Sequence, residues 1–548
     1  MAARERPVVA VDFGTTTSFV AERAGRDPVT IHPLHPVTGW MPSIAAYDGR
    51  RYVVGERAED IPARLIRSVK RAITDKQPTV RLGGGPYGTE VPADNVIVAV
   101  LNEIRRRSNI AGRSLGRLKE LRLGCPAMWD GEQRGRLLEL AGRAGLPVSD
   151  ATLIDEPVAA GVAWLAERYL KDAHPVEGRL LVFDMGGGTL DVAVLDVVGG
   201  ERPDVRVLAS LGTTVAGDRL DEAITDDLSL ALAEAGFPLE SFAQAELAAG
   251  MLRREAVAAK IALSNHETHR VVLPPYIFGR APVLRYTRDQ MEESFEPLMA
   301  TATQLVTAAL RAARLSERYR DSTYDPSAPN LVGDVDFVLL AGGMSRIPAV
   351  RRRLAELLPD AEFVSTGVEP DESIVAGLTD TAGYERINLH RPAFSFVLEW
   401  EGGAKLRTVY DAYTPLYEPW HLSTGRSYLG YERRGRDLDL PRSGRAYLRA
   451  ISSSGRPVDL LMDGRPTGRI PVTFGLHDLV FKIYCDGTVS LLDGIGQQFI
   501  ARVDRWPVVR GREDAQLKMI ADAEPPKDPP TAWYLDKEYT PPSVLRQL

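Results

Sequence analysis

The chain has 548 residues, 44% hydrophobic and 26% charged, with a formal net charge of −7. That length is too great for one core and implies about two to four ordinary globular domains. The charge gives no general pull toward nucleic acid or an anionic membrane. No window approaches 18 uninterrupted apolar residues, so no membrane span is expected. The first residues, MAARERPVVAVDF, lack the apolar core of a signal peptide, and only two cysteines occur, Cys125 and Cys485. These exclude a disulfide framework and a Cys-rich metal site, and they fit a reducing cytoplasm.

Val8–Val20, VVAVDFGTTTSFV, reads as a strand ending at Asp12, a turn through Gly14, Thr15 and Thr16, and a returning strand. Pro42–Tyr47 and Tyr52–Gly55 read as short strands. Ala63–Ile73 reads as a helix carrying Lys70, one of only ten lysines among 67 basic residues. A lysine kept in so arginine-rich a chain marks a place where a compact charge is preferred to a planar fork. Arg81–Pro92 is Gly-rich, a loop or small hairpin. Asn95–Arg107 is an amphipathic helix whose Arg105, Arg106 and Arg107 read as a solvated end. Leu121–Cys125 is a strand closing at Pro126, and Gly131–Ala144 a helix stopped by Gly145. In TLIDEPVAAGVAWLA, Asp155 and Glu156 precede Pro157 at a helix start, where acidic residues suit the helix dipole.

Leu180–Val198, LLVFDMGGGTLDVAVLDVV, repeats the first motif 172 residues later. A strand ends at Asp184, Gly186, Gly187, Gly188 and Thr189 form a bare turn, and a second strand starts at Asp191. Converging amides at such a turn can wrap a phosphate, and the aspartate can hold a hydrated divalent cation beside it. A plain Gly-rich hairpin is the alternative for either copy alone. Two copies suggest two similar lobes facing one cleft. Helices are expected over Leu220–Ala235, Ala245–Leu263 and Thr287–Leu315, with a strand pair within Arg270–Arg285 and a surface loop over Tyr319–Gly333. Val335–Leu340 then runs into Gly342, Gly343 and Arg346 before a helix from Pro348 to Leu358, again a nucleotide-type turn. EPDESIVAGLT places Asp371 before a small-residue helix.

Near Tyr384 helical periodicity fades. Strands are expected at Phe394–Trp400, Leu406–Tyr410, Arg445–Ile451, Val458–Met462, Ile470–Phe474, Leu479–Cys485, Thr488–Leu492 and Phe499–Val503, the spacing of a compact β sandwich. From about Val508 the paired prolines of AEPPKDPPTAW and YTPPSVLRQL read as an extended tail. The histidine pairs His32/His35 and His266/His269 lack a third ligand and read as surface residues. Trp400, Trp420 and Trp506 read as sandwich core rather than a peptide groove.

The order of these motifs resembles the seventy-kilodalton heat-shock chaperones of the actin-like ATPase superfamily, over roughly Val8–Leu378. VAVDFGTTTSFVA resembles the first phosphate motif, IRSVKRAI the segment of the catalytic lysine, and LIDEPVAAGVAW the first connecting motif. FDMGGGTLDV resembles the second phosphate motif, VLLAGGMSRIPAV the adenosine motif and EPDESIVAGL the second connecting helix. The resemblance implies an α/β fold: a two-lobed actin-like, duplicated ribonuclease H-like ATPase domain over 1–383. A smaller all-β sandwich-like domain over 384–508 would follow, with a tail over 509–548.

The same resemblance implies roles for single residues. Asp12 and Asp184 would face Mg2+ through water. Gly14, Thr15, Thr16 and Gly186–Gly188 would cradle the phosphates, with Gly217 at a phosphate-side turn. Lys70 would position the attacking water. Thr189 and Asp191 would act near the γ-phosphate, and Glu156 with Pro126 would relay nucleotide state. Lys260 and Ser264 would hold the adenosine, Gly342, Gly343 and Arg346 would flank the adenine, and Asp371 would be a further carboxylate of the cleft. ATP or ADP with Mg2+ is the implied cofactor. Unfolded or specific client proteins are the implied partners, with a co-chaperone or exchange factor. Nucleic acid and membrane are not among them. Three features depart from the pattern: Val257 stands where a glutamate is usual near the ribose, no acidic-leucine linker is recognisable between Thr379 and Ala393, and the helical lid is missing. A nucleotide-dependent scaffold, an actin-like filament protein and a sugar- or acetate-type kinase are the competing readings.

Overall fold

The computed structural model describes residues 6–521 except 26, 62–63, 83–88, 173–176, 199–203, 321–332, 381–384, 389–390, 417–429, 454, 485–486 and 506–515. Two lobes with related sheets are followed by a β sandwich, the α/β-plus-β class that the sequence implies.

In lobe I, β1 (Val8–Phe13) pairs antiparallel with β2 (Thr17–Arg23), which carries β3 (Thr30–His32) and β4 (Met41–Pro42). A second small sheet joins β5 (Ala45–Tyr47), β6 (Tyr52–Val54) and β7 (Leu65–Ile66). Then come α1 (Arg71–Thr74), the hairpin β8 (Thr79–Leu82) and β9 (Thr89–Pro92), and α2 (Ala93–Ile110). β10 (Arg122–Cys125) and β11 (Leu153–Asp155) extend the main sheet in parallel, in the order β11-β10-β1-β2-β3, with α3 (Gly131–Arg143) between them. Asp130 and Gln133 close a reciprocal capping box at the start of α3.

Helix α4 (Glu156–Asp172) leads into lobe II. Here β12 (Gly178–Met185) and β13 (Leu190–Val198) form the second Asp-Gly hairpin, continued by β14 (Asp204–Thr213). α5 (Gly217–Glu234), α6 (Ala245–Leu263), the hairpin β15 (Thr268–Val271) and β16 (Leu284–Thr287) around α7 (Pro275–Phe278), and α8 (Arg288–Arg320) cover it. β17 (Phe337–Ala341), α9 (Pro348–Leu357) and β18 (Glu362–Val364) complete the alternation, and α10 (Ser373–Asp380) follows. Helices α4 and α10 cross between the two sheets. Val158, Val162, Ile374 and Leu378 share one buried cluster with Ala10 and Phe19 of lobe I and Leu180 and Val182 of lobe II. Gly377 makes the crossing close: a Cβ there would strike the carbonyl of Ala159.

β19 (Glu385–Asn388) pairs in parallel with the outer edge of β14, Asp204 opposite Glu385 through Val207 opposite Asn388. The stretch in which no linker is recognisable thus contains an added strand of the lobe II sheet. A backbone ladder needs no acidic-leucine signature, which is why composition does not reveal it.

The β region contains β20 (Phe394–Trp400), β21 (Lys405–Tyr410), β22 (Gly430–Arg434), β23 (Gly444–Ser452), β24 (Pro457–Met462), β25 (Arg465–Pro466), β26 (Ile470–Phe474), β27 (Val480–Tyr484), β28 (Thr488–Leu492), β29 (Gln498–Arg505) and β30 (Gln516–Ala521). Their order is β21-β20-β23-β24-β30-β29-β28-β27-β22, with β26 also on β23. Trp400 is buried edge-on against Phe474, as core. Trp420 and Trp506 lie outside the described residues, as does most of the loop expected at Tyr319–Gly333. β22 and β30 have no counterpart in the sequence reading, and β30 lies inside the stretch expected to be tail.

Three local expectations are corrected. Of the helix expected over Ala63–Ile73 only the end from Arg71 is helical: Leu65–Ile66 pairs with β5, Lys70 sits in the turn that opens α1, and Ala63 lies outside the described residues. Pairing with a distant strand overrides helix propensity there. Arg107 is not part of a solvated end. It is buried, bonded to Glu56, Glu103 and the Leu34 carbonyl. His32 is not a surface residue either, lying partly buried 3.4 Å from Glu22.

Candidate functional site

Both Asp-Gly hairpins close in the same way. The Gly14 N–H donates to the Thr17 carbonyl at 3.0 Å, and the Gly186 N–H to the Thr189 carbonyl at 2.9 Å. Each aspartate is the penultimate residue of its first strand, with Asp12 opposite Phe19 and Asp184 opposite Asp191. The two turns meet tip to tip across the lobes. A Cβ on Gly187 would run into the Thr16 hydroxyl, and one on Gly188 into Thr15. Gly217 fits under the second turn, donating to the Gly186 carbonyl at 3.1 Å, while the Asp218 N–H donates to Gly187 at 2.6 Å. The third turn needs Gly342 at φ +77°, since a side chain there would strike the Met185 backbone and Asp184.

These turns enclose a cavity of about 380 Å³. Asp12, Gly14, Thr15, Thr16, Asp184, Gly186, Gly187 and Thr189 line its phosphate-like end. Lys260, Ser264, Gly342, Gly343, Arg346 and Asp371 line the other, and Lys70 and Glu156 lie at its base. Of the residues singled out by sequence, Gly188, Gly217 and Asp191 stand behind this wall. Sequence reasoning missed Arg67, Ser68, Asp218, Asp221 and Arg253, which also line it. Arg253 lies one helical turn before Val257 on α6, and that i, i+4 spacing was the available signal.

Lys70 and Glu156 form a buried ion pair, joined by a hydrogen bond from Nζ to Oε1. Nζ also lies 5.6 Å from the Trp129 ring centre. Burial works against the lysine's charge, but Glu156 and Asp12 outweigh it and hold its pKa above the ordinary lysine value. Burial, then Glu156, pushes Asp12 up to about 7 and Asp191 up to about 7; Asp184 is raised well above the ordinary carboxylate range by burial, Glu156, Asp191 and Asp12. Four buried carboxylates thus face one lysine, and the Asp12 Oδ1 atom has no hydrogen-bond partner. That surplus of negative charge fits a divalent cation. Among the described residues no three His, Cys, Asp or Glu side chains converge to ligate one directly, so a hydrated ion fits best. At the opposite end Lys260 forms an ion pair with Asp221 at 2.6 Å, and Arg346 reaches Asp371 at 2.5 Å and Glu369 at 3.0 Å.

The lobes also touch across the cleft mouth. Ser68, held at the strained φ of +52°, donates to Asp218, and Arg254 lies 3.6 Å from Glu59. Below the cleft, Cys125 ends β10, fully buried, its thiol pushed up to about 12 by burial. Beside it the Arg134 guanidinium bonds Asp155 at 2.6 Å and stacks on Tyr413 of the β region, 3.9 Å from the ring centre. The Tyr413 carbonyl accepts from Arg391 at 3.2 Å.

Two lobes presenting matched phosphate-type hairpins to one cleft define a nucleotide-cleft fold of the duplicated kind. A family model described as Hsp70 protein matches residues 8–385. The chain is 30% identical over 391 residues to the chaperone protein DnaK of Thermosipho africanus, covering 69% of this chain and 59% of that one. It is 29% identical over 390 residues to DnaK of Thermotoga maritima, with the same coverage, and 30% identical over 401 residues to the chaperone protein HscA of Salmonella agona, covering 68% and 57%. The chain belongs to the Hsp70 family. It spans less than two thirds of the length of these relatives, and the part that the family model matches is the two-lobed region. Among the described residues no helix is long and apolar enough to cross a membrane.

Proposed function

We propose that this protein is a Mg2+-dependent ATPase whose nucleotide state is coupled to protein or peptide binding by its β domain, the limits expected at 383 and 508 moving to about 388 and 521 because β19 joins the lobe II sheet and β30 the β sandwich. The observation that carries the reading is the pair of hairpins, closed identically and touching at Thr15–Gly188 and Thr16–Gly187, above the buried Lys70–Glu156 pair. Gly14, Thr15, Thr16 and Gly186–Gly188 would wrap the phosphates. Lys260, Ser264, Gly342, Gly343 and Arg346 would hold the adenosine, with Gly217 and Asp371 supporting them. Magnesium, when bound, would neutralise charge on the phosphates, held through water by Asp12 and Asp184. Hydrolysis of this kind asks a protein for little covalent chemistry beyond a placed water and stabilised charge. Lys70 would place the water, and Thr189 and Asp191 would line its approach. The DnaK and HscA relatives are named as chaperones, which supports the binding of client proteins.

The test is the ATPase rate with and without Mg2+ and with and without an unfolded peptide. The reading requires loss of turnover in EDTA and stimulation by peptide. Tight ATP binding without turnover would replace it by the nucleotide-dependent scaffold.

Three further results are expected. Val257→Glu places an acceptor beside the ribose and should tighten ADP binding about tenfold by calorimetry, the worth of one charged hydrogen bond. Glu59→Gln removes a half-exposed tie between the lobes and should speed release of a fluorescent ADP only a few-fold in stopped flow, since exposed pairs are worth about 0.2–1 kcal/mol. Tyr413→Ala should leave the basal rate intact and abolish stimulation by peptide. Coupling would run from Glu156 through the adjacent Asp155 and Arg134 to Tyr413, while β19 ties the linker to β14.

A further inference from the structure

In the β sandwich the last strand joins the two halves of the strand order. Among the described residues, β30 alone pairs with both halves: in parallel with β24 over Asp459–Met462, and antiparallel with β29 over Ala501–Arg505. Leu517 and Met519 point inward and are fully buried with Val458, Leu460, Ala501 and Val503, while Lys518 and Ile520 point out. The far end is read separately. Asp463, at a strained φ of +50°, donates its N–H to the Met519 carbonyl at 2.9 Å and accepts the Ala521 N–H on its carboxylate at 3.2 Å.

Such a slot reads backbone on both sides, side chains in two inward positions, and a strand end. Its occupant is attached in an unusual way. Antiparallel neighbours need a connection of about two to five residues, as β28 and β29 have, but ten residues (506–515) separate β29 from β30. β30 is therefore joined to β29 by more chain than a hairpin turn uses. Its release costs four backbone pairs on each side and the burial of two side chains, which an incoming strand of the same pattern would restore.

We propose that the gap between β24 and β29 is a strand-addition site for extended client segments, kept filled at rest by β30. The ligand is a peptide with apolar residues at alternate positions, running parallel to β24, like the Leu-Lys-Met-Ile of β30 itself. Backbone pairing supplies affinity, and the pockets of Leu517 and Met519 supply selectivity. Self-occupation hides two open edges that would otherwise pair with other chains. The proposal rests on the reading that the β domain binds peptide and states where it does so.

The test uses the full chain without nucleotide, so that a dead ATPase leaves the result unaffected. The probe is a fluorescent peptide of residues 515–522, AQLKMIAD, followed by anisotropy. In the wild type, tethered β30 competes at about millimolar effective concentration. Leu517→Ala/Met519→Ala weakens that competitor and is expected to raise probe affinity about a hundredfold. Arg502 and Ile520 oppose each other on the outer face, so Arg502→Cys/Ile520→Cys can be oxidised to pin β30. Added to the alanine variant, the oxidised cross-link should erase the gain, and reduction should restore it. A gain that survives the cross-link, or no gain in a folded alanine variant, overturns the proposal. If the alanine variant does not fold, the cross-link alone decides in the otherwise wild-type chain: it should block capture of an unfolded client. Undiminished capture would sink the slot while leaving the chaperone reading in place. Concentration-dependent dimers that pinning dissolves would assign the slot to a second copy of β30, and would also overturn it.

Discussion

Lys70→Ala is expected to lower ATP turnover about 10²–10³-fold while ATP still binds, the usual loss when one preorganised charge is removed from a phosphoryl-transfer site. Its second effect is on stability. Lys70 and Glu156 are 3% and 6% exposed in their side chains, so deleting the lysine leaves Glu156 buried and unpaired among three other carboxylates. Breaking a buried pair in this way costs about 3–5 kcal/mol. A thermal melt of the single variant alone would confuse the two effects. Lys70→Met/Glu156→Gln separates them, because both charges leave together. The double variant should recover most of the melting temperature and none of the turnover. Recovery of turnover would assign Lys70 to structure and end its catalytic role.

Gly377→Val should be the most damaging single change outside the cleft. Its Cβ would enter the backbone of α4 at Ala159, and the nitrogen of Ala163 lies only 3.1 Å away. Neither is a flexible tip that can swing aside. Forcing a branched side chain into this crossing should cost about 3 kcal/mol or more and lower the melting temperature by roughly 10 °C. The helices crossing there sit between the two sheets, so ATP-induced protection of the cleft from protease should be lost as well. Gly135→Ala is the matching control. It sits on the exposed face of α3 with nothing within 4 Å, and alanine there should stabilise by about 0.5–1 kcal/mol.

What was legible in the sequence was set by local pattern. The hairpins at Asp12 and Asp184 are short-range objects, an apolar run, a glycine turn and a returning run, and both were readable. Helix α6 and strands β20, β26 and β28 fall at their expected limits for the same reason: period and punctuation agree. The misreadings share a different cause. Leu65–Ile66 has helical neighbours in sequence but a strand partner at Ala45–Ala46. Arg107 looks solvated beside two other arginines until Glu56, 51 residues away, is brought to it. β19 and β30 each exist only because a distant edge is there to receive them. In the cleft, the residues of the named motifs were found, but Arg67, Ser68 and Asp218 were not. Their place follows from how the lobes face each other, which no window along the chain records.

Cys125 offers a use that none of the site chemistry requires. It lies fully buried at the end of β10, beside Arg134 and below the Lys70–Glu156 pair, with a thiol pushed up to about 12. At neutral pH it is almost entirely protonated and sealed from reagents, so it will react only when that corner of the molecule opens. The native chain thus carries its own stopwatch. The rate at which a thiol reagent modifies Cys125, read apart from Cys485 by peptide mass mapping, with and without nucleotide, times the opening of that part of lobe I without any label having to be engineered in.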